Sequence, residues 1–289
     1  MVWSLGIGLP ARGSTLASGV RNEQGLEELT ITKLDLEQSL NTLTTMASSI
    51  ENRALNSKFV KVNAKGAINM NSWYWWLNSL FVKTDSGTGP YTHSLVLTDD
   101  NYRGFALVFS NGYNQGQVYN LICKRFQIKF SPREIAKFDF EGVGIYSTSY
   151  TAPDSTALVT HYTKPTLTIN GSNFSFLDLT YTITHSNEAP TLTLDSNDDS
   201  NIMTGKFNVE VEGKLISTMN NTIFNSINST IGSTNLTSTE STSNEITINL
   251  TNLVQKFDLI AKVGENYIYN YKGRNPTAIS ISTKNNMAT

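Results

Sequence analysis

From Phe105 to Ser282 the chain alternates apolar and polar side chains with a period of two, in segment after segment. That spacing puts successive residues on opposite faces of a strand. Phe126, Ile128 and Phe130 bracket Gln127 and Lys129, and Phe138 and Phe140 alternate with Lys137, Asp139 and Glu141. Leu179, Tyr181 and Ile183 alternate with Thr180, Thr182 and Thr184, and Phe207, Val209 and Val211 with Lys206, Asn208, Glu210 and Glu212. Residues 59–62, 105–110, 118–130, 166–169, 174–184, 246–250, 267–271 and 278–282 therefore read as strands, most of them half-buried. Ser131-Pro132-Arg133-Glu134 reads as a turn between two of them, and 151–160, with Pro153, as a crossover between sheets. The predicted fold is mainly β: two packed antiparallel sheets, a β-sandwich or open barrel, forming one domain over 1–289 with one flanking helix.

Four stretches depart from the alternation. Residues 1–33 contain Gly6, Gly8, Pro10, Gly13 and Gly19 with little periodicity and read as an extended N-terminal arm. In the polar insertion 34–58, Leu40, Leu43, Met46 and Ile50 fall on one helical face, but Thr42, Thr44, Thr45, Ser48 and Ser49 weaken a helix there. Leu215, Ile216, Met219, Ile223, Phe224 and Ile227 share one broad helical face and predict the flanking helix at 214–228. Residues 229–243 are almost wholly Ser, Thr, Asn and Gly and read as a loop outside the core. The sandwich itself is expected over 59–272, with a C-terminal strand and tail at 273–289.

Within the sandwich, Asn71 or Ser72 is placed to cap a short helix through Trp73, Tyr74, Trp75, Trp76, Leu77, Leu80 and Phe81. That segment is apolar nearly all round, which predicts burial. The same rings, if exposed, would make a sugar-stacking platform, joined by the Tyr-rich stretch 267–271. A carbohydrate-binding module is therefore the alternative function.

Charge narrows the partners. Twenty-two basic and 24 acidic side chains leave a formal charge of -2, so no global basic field holds a polyanion. Cys123 is the one cysteine, which rules out an internal disulfide and a cysteine-built zinc site, and it reads as a buried, inert thiol. The opening MVWSLGIGLPARGST has no basic segment followed by an apolar one, and no stretch reaches the ~18 apolar residues of a membrane span. Folding in a reducing cytoplasm, without a membrane partner, is the expectation.

Catalytic and metal motifs are sparse. His93, His161 and His185 lack metal-ligand spacing and read as surface or strand-face residues. Asp195, Asn197 and Asp199 match the start of a calcium loop, but Ser200 stands where the loop needs glycine and Lys206 where it needs glutamate. A solvated turn is the better reading. No nucleophile elbow, phosphate loop or zinc helix occurs, and a hydrolase would need scattered residues such as His161 and Asp178 to converge. The expectation is no enzyme, no cofactor and no metal. The pairs Asp139 with Glu141 and Glu210 with Glu212 lie two residues apart, which places each pair on one solvated strand face.

The order of features resembles the major tail tube proteins of tailed phages. The likeness is carried by VKVNAKGAINMNSWYWWLNSLF, VYNLICKRFQIKFSPREIAKFDFEGVGIY, FSFLDLTYTITHSN with TGKFNVEVEG, and NEITINLTNLVQKFD, which together span most of the chain. In that family a strand pair joined by an S-P-G-E-like turn ends in a glycine-containing aromatic strand. Ser131, Pro132 and Glu134 fit, while Arg133 replaces the small residue. The resemblance implies a sandwich with a flanking helix, six-subunit rings stacked into a tube, and 34–58 as a loop reaching the adjacent ring. It also implies a tape measure protein and tail terminator or baseplate proteins as partners, a location in the virion tail after assembly in the host cytoplasm, and DNA that passes through without specific binding. On that reading Asp139, Glu141, Glu210 and Glu212 are candidates to face the lumen, since a lysine-rich wall would hold phosphates.

Overall fold

The computed structural model describes residues 4–10, 14–33, 59–97, 104–110, 114–185 and 207–287. The first strands are β1 (Ser4–Gly8), β2 (Arg21–Asn22), β3 (Leu26–Lys33), β4 (Phe59–Ala67), β5 (Phe81–Ser86), β6 (Tyr91–Leu97) and β7 (Phe105–Ser110). β8 (Gln115–Phe130), β9 (Lys137–Ser147), β10 (Pro165–Ile169), β11 (Ser172–His185) and β12 (Phe207–Thr218) follow. After the helix α1 (Asn221–Asn228) come β13 (Ile231–Ser241), β14 (Asn244–Val263), β15 (Asn266–Arg274) and β16 (Ala278–Asn285).

All pairings are antiparallel, and the hydrogen-bonded network folds into two layers. One runs β3-β4-β9-β8-β11-β12-β15-β14. The other runs β5-β6-β16-β14-β13-β10-β11. β11 and β14 are long enough to belong to both. The first residues of β11 pair with β10 and the later ones with β8, while β14 leaves β13 and β16 to continue alone with β15. The circuit β10-β11-β12-β15-β14-β13 therefore closes on itself as a six-stranded barrel. α1 lies against β11 and β14, held by a 2.7 Å contact between the Ser172 and Ser226 hydroxyls and by Gln255 Nε2 donating to Ser226 O at 3.3 Å. The mainly β sandwich with one helix is as the alternation predicts, because most strands bury an apolar face and leave the other polar, while β1 and β7 are buried on both.

The aromatic run fills the space between layers. Trp73 stacks on Phe126 of β8 at 6.4 Å and donates its indole N–H to Thr283 Oγ1 of β16 at 3.1 Å. Trp76 meets Phe105, Phe138 and Phe140 with centroids 5.5, 5.2 and 4.8 Å away. The segment Trp73–Leu77 is a buried 3₁₀ helix, as Trp75 N to Ser72 O and Asn78 N to Trp75 O show. Ser72 occupies the capping position, but its hydroxyl bonds the Glu23 carboxylate instead of the helix.

Three expectations are corrected. Residues 1–33 are not an arm in their described parts: β1 pairs with β7 and is buried, and β3 pairs with β4. Gly6 lies there because a Cβ would run into Val20 and, at 2.7 Å, Pro153, so its glycine serves close packing rather than flexibility. The helix expected at 214–228 begins only at Asn221, capped by the Asn220 side chain accepting from Ile223 N at 2.8 Å. Leu215 and Ile216 stay in β12, whose ladders to β11 and β15 satisfy its backbone on both sides and override the helical spacing. Phe224, expected on the buried face, is 57% exposed. The loop expected at 229–243 is β13 and the turn that joins it to β14 in a hairpin. Gly232, Thr234, Leu236 and Ser238 alternate inward there, and small β-branched or hydroxyl side chains suit a strand held between β10 and β14. The insertion 34–58 and the Asp195, Asn197, Asp199 turn lie outside the described residues.

Candidate functional site

The four acidic candidates converge on one surface. Directly paired residues of an antiparallel sheet share a face. Registers align Glu28, Lys65, Asp139, Gln127, Thr182, Glu210, Arg274 and Val254 in one row across all eight strands of the first layer. Glu141 sits in the row beside it with Asn63, Arg125 and Thr184. Glu212 sits in the row on the other side with Thr180, Lys129 and Lys272. Asp139 and Glu141 therefore share a face with Glu210 and Glu212, although two strands separate the pairs.

None of the four stands as an isolated charge. Lys61 Nζ is 2.6 Å from Glu141, Arg125 is 4.0 Å from Asp139, and Lys272 is 3.6 Å from Glu210 and closer to Glu212. The two glutamates hold the exposed Lys272 ammonium above the usual lysine range, Glu212 contributing most. The face is thus charge-compensated and mixed rather than acidic. A groove of about 570 Å³ runs along it, lined by Gln127, Asp178, Thr180, Glu212, Lys214 and Lys272 among others. The basic partners escaped the sequence reading because alternation shows which residues share a strand face but not which strands are neighbours.

The other candidates are dispersed or buried. All three histidines are buried: His93 and His185 are strand residues, of β6 and β11, but their side chains are buried rather than on the surface, and His161 lies outside the strands. His93 packs on Tyr74 at 4.4 Å with Nδ1 2.6 Å from Asp85 and Nε2 3.1 Å from Asn285. His185 packs on Phe207 at 4.4 Å. His161 does not meet Asp178, which lies in the groove. Its Nε2 is 3.0 Å from Ser238 Oγ and its Nδ1 3.9 Å from Glu240. The order Ser238, His161, Glu240 follows a hydrolytic triad, but Ser238 and His161 have no exposed surface and the glutamate is beyond hydrogen-bond range. A substrate has no approach to that hydroxyl. Burial holds the His161 ring neutral, with its pKa lowered to about 4. Burial likewise pushes the Cys123 thiol far up, away from the reactive thiolate.

Trp73, Trp75 and Trp76 are all buried, as are Tyr269 and Tyr271, so the sugar platform lacks its exposed rings. Among the described residues no group of three His, Cys, Asp or Glu is placed to hold a metal ion, and no helix is long and apolar enough to cross a membrane. Fold and surface together define a mainly β sandwich with its accessible polar chemistry spread along one sheet face. Compared with protein-family models and with curated proteins, the chain finds no match.

Proposed function

We propose that this chain is a structural, non-enzymatic subunit whose copies close into six-membered rings that stack as a phage-type tail tube. The mixed-charge face would line the lumen, and DNA would pass without specific binding. Tape measure, terminator and baseplate proteins are the partners this reading calls for, and the virion tail is its location.

The observation that carries the reading is the eight-stranded layer itself. One face is buried, the other is polar and charge-compensated, and among the described residues both ends are unpaired. β3 pairs only with β4, and β14 beyond Val254 pairs only with β15. Open edges invite strand addition, and a head-to-tail contact repeated by rotation closes a ring. The free end of β14 also carries Leu259, Ile260 and Val263 at 59, 49 and 63% exposure, apolar surface suited to a second copy. A face with bases paired to acids gives phosphates no net cationic wall to condense on.

Negative-stain electron microscopy of the concentrated full chain tests this. Rings or hollow tubes with a central channel are the expected result. A protein that stays monomeric at high concentration, and also when supplied with preformed tail tips as initiators, overturns it.

A further inference from the structure

The interior of the six-stranded barrel is lined mostly by apolar side chains, and three hydroxyls converge within it. Tyr181 of β11, Tyr271 of β15 and Thr234 of β13 are each 2% exposed, and the oxygen of each is buried with no partner at full hydrogen-bond geometry. Tyr271 leans along its strand over Gly273, where a Cβ would lie 2.8 Å from the phenol oxygen and 2.9 Å from both Val211 and Leu253. Val211 is the register partner of Tyr181, and Leu253 that of Gly232, beside the bulge that ends at Thr234. The three side chains therefore point from different strands toward one region. Burial does most to disfavour ionisation of Tyr181, Tyr271 adds to it, and the Thr234 hydroxyl opposes it as a close hydrogen-bonding neighbour of the phenol.

We infer that the barrel encloses one ordered water molecule held jointly by Tyr181 Oη, Tyr271 Oη and Thr234 Oγ1. Buried polar groups in folded proteins are almost always paired, and a water with two to four polar partners is the usual means where side chains do not reach each other. Each hydroxyl can both donate and accept, which matches the two donors and two acceptors of water. An ion fits less well, because Lys272 and Arg274 of β15 belong to the opposite, polar face. Gly273, with no side chain, leaves the Tyr271 hydroxyl the space to reach this point. Such a water would tie β11, β13 and β15 together across the barrel, fixing its closure independently of any assembly.

A crystal structure of the full chain at about 1.5 Å resolution tests this directly. An ordered solvent peak within hydrogen-bond distance of at least two of the three oxygens supports the inference. An empty interior, or the hydroxyls bonded directly to one another, overturns it. Tyr181→Phe and Tyr271→Phe provide a second reading in solution. Each should lower Tm by about 2–4 °C, and the double variant by less than the sum, since both lose the same water. Phenylalanine variants as stable as the parent, or more so, mean orphaned hydroxyls and no bound water.

Discussion

Glu23 is the residue whose burial has the clearest consequence. Its carboxylate is fully buried, accepts from the Ser72 hydroxyl, and has one oxygen without a partner. Arg21, two residues before it, donates to Asn71 O at 2.6 Å and Tyr74 Oη at 2.8 Å and lies 4.2 Å from the Trp75 ring. Burial raises the Glu23 pKa from 4.5 to about 7. The folded state therefore holds a proton that the unfolded state releases, and stability falls as pH rises through that window. Glu23→Gln, neutral throughout, should gain stability over the parent at pH 8 but not at pH 4, by at most about 3 kcal/mol. Urea denaturation at the two pH values measures this, and an equal difference at both would refute it. His161 acts with the opposite sign: its depressed pKa makes stability fall as pH drops from 6.5 toward 4, so the variant should lose stability more steeply on acidification. In the turn at 131–134 Arg133 takes a φ of 63°, a left-handed conformation in which glycine is less strained.

At the scale of elements, β13 is where local composition and tertiary context disagree most. Its Ser, Thr and Asn content reads as a loop, yet it is a central strand between β10 and β14 with Leu236 fully buried. Leu236→Ala should cost about 2–5 kcal/mol, the range for emptying a leucine site in a packed core. Equilibrium unfolding distinguishes this from a loop position, where the change would stay within about 0.5 kcal/mol. The helix shows the reverse effect. Six apolar residues suit one helical face, but backbone pairing on both sides of β12 claims the first two, and α1 keeps only the residues beyond Asn220. Element type was legible where the period was two, because alternation survives any choice of neighbour. It failed at 214–228 and 229–243, where a competing period or a polar composition masked a strand that long-range pairing stabilises.

On the scale of the whole molecule, the paired lysines of the polar face set what it tolerates. Glu210→Lys with Glu212→Lys would leave Lys272 among like charges on an exposed surface. In such a setting the cost to folding is small, because solvent screens the charges. If copies of this face line a channel, the same change creates a basic wall. Assembled tubes of the double variant should then retain DNA in a salt-dependent manner while the parent does not. Gel-shift titration at two salt concentrations reads this, and identical behaviour of the two proteins would remove the face from the lumen.

The sequence by itself determined the mainly β class, the buried aromatic segment, and the sharing of a strand face by Asp139 with Glu141 and by Glu210 with Glu212. These follow from side-chain period and hydrophobicity, which act locally along the chain. Only the tertiary structure decided that the two acidic pairs share a single sheet face, that Lys61, Arg125 and Lys272 neutralise them, and that six strands close into a barrel. Those facts depend on which strands lie side by side, and strand order is fixed by contacts between residues far apart in the chain, for which alternation carries no label.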